Sequence, residues 1–160
     1  MLSLLGQASF LEAFAGTLPG KEILAHCSRQ HSVEKYRAWL ADPRSPAWVA
    51  EVDPGAAPVG YLLLTSPDLP VADLGPGDWE IKRIYLLHRF QGGGLGRRLM
   101  DEARRHADSI GARRLLLGVY EKNEAALAFY SRLGFARIGT RAFQVGSLIC
   151  QDAILGLNLR

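Results

Sequence analysis

The pattern of apolar and polar residues divides the chain into helical segments followed by alternating strands and helices. In the first forty residues the pattern is helical. LLGQASFLEAFAG is one such segment, and VEKYRAWLA, which follows the candidate N-cap Ser32, is another. Short apolar runs bounded by Pro, Gly and Asp then predict strands at residues 47–52, 59–65 and 79–87.

The second half of the chain alternates between the two patterns. LGRRLMDEARRHADSIG predicts a helix capped by Gly111, with one apolar face formed by Leu95, Leu99, Ala103, Ala107 and Ile110. The apolar centre of residues 113–120 does not alternate, which indicates a strand buried on both faces. A helix at 123–134 and two closing strands, FARIGTRAF and CQDAILGLNL, follow. The fold class is therefore α/β, with a mixed sheet and at least one parallel strand pair.

The length, charge and cysteine content of the chain exclude several classes of protein. The length of 160 residues suits one domain over residues 1–160, and a net charge of +3 is far below that of nucleic-acid-binding proteins. Cys27 and Cys150 are distant and form no CxxC, which argues against a disulfide scaffold or zinc site and favours a reducing, cytoplasmic location. The four histidines show no metal-ligand spacing, so no metal is expected.

The apolar N-terminus needs one check, because Ala13-Phe14-Ala15 imitates a signal-cleavage site. No basic residue precedes Lys21, and Gln7 and Glu12 interrupt the apolar run, so an amphipathic helix is the favoured interpretation. No apolar stretch is long enough to cross a membrane, and neither membrane nor nucleic acid is an expected partner.

A glycine-rich turn, RFQGGGLGRRL, joins the strand at 79–87 to the following helix. Glycine permits close approach to a ligand, and the free N–H groups of a helix N-terminus attract anions. Arg97 and Arg98 are unfavourable at a bare helix N-terminus, so they favour a polyanionic ligand, although both fit a solvated surface too. Dinucleotide and Walker fingerprints fail here, whereas Q-x-x-G-x-G fits Gln91–Gly96.

This signature resembles the acetyl-CoA motif of GCN5-related N-acetyltransferases (GNAT). Asn123 follows the next strand as the family's pyrophosphate-side Asn does, and AFYSRLGF at 128–135 is similar to the segment around its general-acid tyrosine. The resemblance implies a GNAT acyl-CoA N-acyltransferase fold, with a central mixed twisted sheet flanked by helices, and acetyl-CoA as co-substrate. The cofactor-binding residues that it implies are Ile84, Tyr85, Leu86, Gln91, Gly92, Gly93, Gly94, Leu95, Gly96, Arg97, Asn123 and Tyr130.

The resemblance also implies the catalytic groups. Tyr130 is the expected general acid for the departing thiolate, and Glu80 is the expected general base for the amine. Tyr130 also fits a core aromatic residue beside Phe129. Glu80 also fits a solvated strand residue, or a partner of Lys82 on the same strand face.

A finer similarity links EIKRIYLLHRFQGGGLG, GVYEKNEAALAFY and the Phe143…Asp152 segment to the PaiA-like polyamine acetyltransferases. Acids that a polycation would need are Glu12, Glu51, Asp78 and Asp152, each of which also fits a solvated surface charge. Two departures from the family pattern stand out. The family's first strand is missing or rebuilt here, and Gly93 replaces a residue that is often basic, with Arg97 and Arg98 as candidate substitutes.

The sequence therefore predicts an acetyl-CoA-dependent N-acetyltransferase that acts on the primary amine of a small molecule, with a polyamine as one candidate, by direct attack in a ternary complex. Two alternatives remain open: acetylation of a protein N-terminus or lysine, and a non-catalytic acyl-CoA-binding module. A nucleotide-dependent oxidoreductase is disfavoured by the failed fingerprints. Whether the chain forms a homodimer is left open.

Overall fold

The computed structural model describes residues 1–159, in which three helices precede six strands and two further helices. The elements are α1 (Leu2–Phe14), α2 (Gly20–Gln30), α3 (Val33–Leu40), β1 (Ala47–Val52), β2 (Ala57–Thr65), β3 (Asp78–Leu86), a short 3₁₀ turn (His88–Phe90), α4 (Leu95–Ser109), β4 (Arg114–Tyr120), α5 (Glu124–Arg132), β5 (Ala136–Val145) and β6 (Leu148–Asn158). Within residues 1–159, no helix has both the length and the apolar character that crossing a bilayer requires.

Local signals explain several helix ends. The Ser32 hydroxyl accepts a hydrogen bond from the backbone N–H of Lys35, as expected of an N-cap. Gly111 follows α4 with a φ of 70°, and Gly134 follows α5 with a φ of 91°. Both glycines adopt the left-handed conformation that ends a helix at little cost.

The six strands form one sheet in the order β1-β2-β3-β4-β6-β5. Only β3 and β4 pair in parallel, and all other neighbours are antiparallel. The prediction of a mixed sheet with a parallel pair is therefore confirmed. Within residues 1–159 no strand precedes α1, and β1 forms the edge of the sheet on that side.

The sheet is covered on both faces. In β2, Tyr61 and Leu63 pack with α1 and α3 residues, whereas the alternate Leu62 and Leu64 pack with α4 residues. The centre of β4 is buried, as its uninterrupted apolar sequence predicts. The prediction that Ile110 continues the buried face of α4 is wrong. Because α4 ends at Ser109, Ile110 leaves the helical spacing, and its side chain is 45% exposed.

The parallel pairing of β3 and β4 is very short. It joins only Asp78, Trp79 and Glu80 to residues 114–116, and beyond Glu80 the two strands no longer pair. Asp78 is fully buried at the base of this junction, where its carboxylate accepts hydrogen bonds from Arg113 and Arg114. Burial alone would raise the pKa of Asp78, but the two guanidinium groups outweigh burial and lower it. This ion cluster joins two strands that share few backbone hydrogen bonds.

Replacing Asp78 with alanine is therefore expected to destabilise the fold strongly, because Arg114 would remain largely buried with only the mostly exposed Asp73 as a partner. The free energy of unfolding, measured with urea, should fall by about 3 kcal/mol. Asp73→Ala is the matched control, since Asp73 contacts the same Arg114 from a side chain that is mostly exposed. Equal losses in the two variants would contradict a special role for Asp78.

Candidate functional site

A cavity of about 710 Å³ opens where β3 and β4 diverge. Its volume is within the range of small-molecule sites. Residues 80–86 of β3 and 117–120 of β4 form two walls, and α1, α5, β5 and β6 contribute the others. The cavity therefore lies at the carboxyl ends of β3 and β4, the parallel pair of the sheet.

One end of the cavity is the glycine turn before α4. Gly92 and Gly94 have φ angles of 79° and 83°, and Gly94 is the N-cap of α4 without any side-chain cap. Arg98 N–H donates to the carbonyl of Gly94, so the N–H groups of Leu95, Gly96 and Arg97 precede the first hydrogen bond of the helix. These unsatisfied donors, together with the helix dipole, form an anion-binding end.

Side chains add to this end of the cavity. Gln91 lines it and donates from Nε2 to the carbonyl of Leu86, at 3.0 Å, which ties the turn to the end of β3. Arg97 and Arg132 also line it, whereas Arg98 does not. Arg132 was missed, although it belongs to the AFYSRLGF segment that signalled Tyr130. Its position toward the cavity depends on how α5 packs.

Asn123 lines the cavity and also caps α5. Its Oδ1 accepts a hydrogen bond from the N–H of Ala126 at 3.1 Å, which leaves the side-chain NH₂ group for a ligand. Ile84, Tyr85, Leu86, Gly92, Gly94 and Gly96 line the cavity as well. Gly93 and Leu95, which the sequence placed among the binding residues, are not among the lining residues.

Tyr130 lies on α5 and lines the cavity. It is 8% exposed and packs between Phe129 and Phe135, with ring-centroid distances of 5.3 and 5.8 Å. Burial raises the pKa of its phenol well above the usual value, so the group is protonated at neutral pH. Tyr130 is thus both a core aromatic residue and a proton-bearing group at the cavity.

Glu80 lines the cavity at the last position where β3 pairs with β4, and it is 1% exposed. Its Oε2 accepts from the N–H of Asp68 at 3.0 Å, and its Oε1 lies 3.3 Å from Nζ of Lys82. The solvated-residue interpretation is therefore wrong, and the pairing with Lys82 is present. Burial raises the pKa of Glu80, and the charge of Lys82 partly opposes that rise.

The other end of the cavity is formed by α1, β5 and β6. Arg141 Nε donates to Asp152 Oδ2 at 3.2 Å, across the β5–β6 pair. Asp152 is only 4% exposed, and burial raises the pKa of its carboxyl. The aromatic residues of this end are Phe10, Phe14, Tyr85, Tyr120 and Phe143.

The four acids proposed for the acceptor side separate into two groups. Glu12 and Asp152 line the cavity, whereas Asp78 lies in the buried junction and Glu51 is exposed on β1. The expectation of a solvated charge is thus wrong for Asp78 and Asp152, because each pairs with arginine in the interior.

Two histidines lie behind the aromatic wall. His26 stacks on Phe10 at 4.2 Å, and His31 Nδ1 lies 2.8 Å from the Tyr36 hydroxyl. Burial, with the nearby charge of Arg83, lowers the pKa of His26 to about 4 and that of His31 to about 3. Both imidazoles are neutral at neutral pH. Among residues 1–159 no group of three or more potential ligands is arranged around a metal position.

Comparison with known proteins agrees with this architecture. The sequence profile of the Acetyltransferase (GNAT) family matches residues 11–135. The chain belongs to this family. An uncharacterized N-acetyltransferase of Mycobacterium tuberculosis is 34% identical over 116 residues, which cover 72% of this chain and 69% of that protein.

Solved structures of other N-acetyltransferases share this fold. PaiA N-acetyltransferase from Thermoplasma acidophilum, in complex with coenzyme A, has a TM-score of 0.75 at 18% identity, covering 98% of this chain and 91% of that one. The ribosomal-protein-S18-alanine N-acetyltransferase from Escherichia coli has a TM-score of 0.64 at 20% identity, covering 97% and 87%. A likeness to solved structures at this level of identity shows the fold and does not specify the acceptor.

The glycine turn gives a test of this GNAT site's backbone. Gly94→Ala should lower the free energy of unfolding by roughly 1 kcal/mol, because alanine is strained at a φ of 83° although no atom lies within 4 Å of its Cβ. Gly93→Ala, in the same turn and without a positive φ, should leave stability unchanged or slightly increased. Urea unfolding of both variants measures the difference. Equal effects would contradict the left-handed geometry of Gly94.

Proposed function

We propose that residues 1–160 form one catalytic domain that transfers the acetyl group of acetyl-CoA to the primary amine of a small molecule, by direct attack in a ternary complex. The observation that carries this proposal is one continuous cavity. It joins the unsatisfied N–H groups in the first turn of α4 to the protonated phenol of Tyr130 and the buried carboxyl group of Glu80.

The glycine end suits the cofactor. The free N–H groups of residues 95–97 and the charges of Arg97 and Arg132 match a pyrophosphate, and the amide of Asn123 has donors to spare. Past Glu80, β3 has no strand partner on its β4 side. Backbone groups of Ile84, Tyr85 and Leu86 are therefore candidates to pair with the amides of the pantetheine arm.

Acetyl transfer to an amine requires removal of a proton. An alkylamine with a pKa of about 10.4 is neutral only about one part in 2500 at pH 7, a cost of roughly 4–5 kcal/mol. Glu80 is the proposed base, directly or through water, and its raised pKa makes it a better proton acceptor than an ordinary carboxylate. The amine nitrogen then attacks the thioester carbonyl carbon.

The carbon–sulfur bond breaks as the new amide bond forms, and the sulfur leaves with the bonding electrons. Tyr130 is proposed to donate its hydroxyl proton to that sulfur. The burial that raises the pKa of the phenol would also raise the pKa of a thiol leaving at the same place, which keeps donor and acceptor matched.

Direct attack is favoured over a covalent enzyme intermediate by the state of the cavity's cysteine. Cys150 lines the cavity, but burial raises the pKa of its thiol. A thiol that stays protonated is a poor nucleophile at neutral pH. Cys27 is buried and donates weakly to the carbonyl of Gln7.

Release of CoA from acetyl-CoA, measured against small amines, amino acids, polyamines, aminoglycosides and N-terminal peptides, tests the proposal. A rate with small amines supports it. A rate only with peptides would identify a protein acetyltransferase. Tight acetyl-CoA binding without any turnover would favour the binding module.

Tyr130→Phe should lower kcat by about 100-fold or more, with a much smaller change in KM for acetyl-CoA, because the ring that packs the wall is kept. Steady-state kinetics at saturating acetyl-CoA measure both constants, and calorimetric titration checks cofactor binding. An unchanged kcat would remove Tyr130 from the mechanism.

The pH dependence tests Glu80. Lys82→Met should move the acid limb of the kcat/KM profile to higher pH, because the lost positive charge lets the pKa of Glu80 rise and keeps the base protonated to higher pH. Lys35→Met, on the exposed face of α3, is the control and should not move the limb. An acid limb that stays in place in Lys82→Met would argue against Glu80 as the base.

A further inference from the structure

Two arginines line the end of the cavity opposite the glycine turn, which is the acceptor end in the proposed reaction, and the charges of both act on Asp152. Arg83 comes from β3 and Arg141 from β5, and both are lining residues. Asp152 pairs with Arg141 at 3.2 Å, and the charges of both arginines lower the pKa of its carboxyl against the effect of burial. One carboxylate thus faces two guanidinium groups.

Arg83 has no carboxylate partner within residues 1–159. Its Nη1 donates to the backbone carbonyl of Lys82 at 2.8 Å, and its guanidinium lies 5.3 Å from the ring centroid of Trp39. Its Nε is buried without an acceptor. A partly desolvated cation with an unsatisfied donor is costly unless an anion approaches it.

Apart from Asp152, which is paired with Arg141, the titratable groups that face Arg83 are neutral. His26 and His31 are uncharged at neutral pH, as described above. Burial raises the pKa values of the nearby phenols Tyr36, Tyr61 and Tyr85, which keeps them protonated. None of these histidines and tyrosines carries a negative charge that could pair with the guanidinium of Arg83.

Arg141 is held over β4 by a space that only glycine provides. A Cβ on Gly118 would lie 2.6 Å from Nη2 and 2.8 Å from Cζ of Arg141. Gly118 therefore lets the guanidinium lie across the strand, and Asp152 fixes it there through a single oxygen. The remaining N–H groups of Arg141 are available to a second acceptor.

The other acids of the cavity are already engaged. Glu80 pairs with Lys82 and accepts from the N–H of Asp68, and Glu12 accepts from the N–H of His88 at 2.7 Å. Among residues 1–159, Arg83 is therefore the cavity cation at this end that no carboxylate pairs. A polyamine, which brings only positive charge, would not supply the partner that Arg83 lacks.

We propose that the acceptor is a small amine that also carries a carboxylate and an apolar or aromatic body, and that Arg83 and Arg141 bind the carboxylate. This inference rests on the proposed function, since it assigns the acceptor of the same site. The guanidinium forks match a carboxylate in shape and charge, and the aromatic walls named above enclose the apolar body.

Matched acceptor pairs test the carboxylate directly. Phenylalanine with 2-phenylethylamine, tryptophan with tryptamine, and 4-(aminomethyl)benzoate with benzylamine differ only by that group; phenylalanine methyl ester is the neutral control. The carboxylated member should have a kcat/KM at least tenfold higher, mainly through KM. Equal or better rates with the carboxylate-free amines, the ester or spermidine would overturn the inference and leave acetyl transfer intact.

Variants of Arg83 test whether the preference for a carboxylated acceptor arises from this arginine. Arg83→Gln should raise KM for the carboxylated acceptor tenfold or more and leave KM for its carboxylate-free partner within about twofold. Arg83→Lys should restore part of the loss, and Arg104→Gln, on the exposed face of α4, should have no effect. Equal losses on both members of a pair would indicate a structural role instead. Arg141→Gln provides a second variant if Arg83→Gln does not fold.

If none of the tested amines is acetylated, thermal unfolding of the CoA-bound protein tests whether the carboxylated amines bind. Phenylalanine or 4-(aminomethyl)benzoate should raise Tm, and Arg83→Gln should abolish the shift. Stabilisation by acetyl-CoA without any stabilisation by these carboxylates would overturn the inference alone. If acetyl-CoA itself fails to stabilise the protein, the proposed function and the inference fail together.

Discussion

The separation of β3 from β4 is the constraint on which the rest of the molecule depends. Neighbouring strands gain hydrogen bonds by pairing along their whole length, yet these two share only three residue pairs. Asp78, between Arg113 and Arg114, joins the strands at their base with charge-assisted hydrogen bonds. Past that junction the strands are free to diverge, and the cavity is the space between them.

The two diverging strands obtain their support from opposite sides. On β3, the register against β2 shifts so that Lys82 has no paired residue, and this lysine holds Glu80 and Asp68 together. On β4, the pairing with β6 continues to Tyr120, and Gly118 accommodates Arg141. Each strand thus keeps its position without the other.

Burial then sets the protonation of the groups in the cavity. The same removal from water raises the pKa values of Glu80, Tyr130 and Asp152, although charged partners oppose the rise for the two acids. A carboxyl group with raised pKa and a protonated phenol suit the proposed roles of general base and general acid. The end of the cavity opposite the glycine turn is lined by different residues, so we expect its ligand preference to be set separately from that of the glycine turn.

The sequence by itself determined the features that are local. Alternation and helical spacing predicted the strand at 47–52 with its observed bounds, the mixed sheet, and the cap at Ser32. The glycine turn, Asn123 and Tyr130 were found because each belongs to a short contiguous pattern. Only the tertiary structure decided which charges meet: Asp78 with Arg113 and Arg114, and Arg141 with Asp152, while Arg83 has no paired carboxylate among residues 1–159. Those contacts join residues that are distant along the chain. The sequence around a charged residue therefore does not show whether that residue will have an ion-pair partner once it is buried.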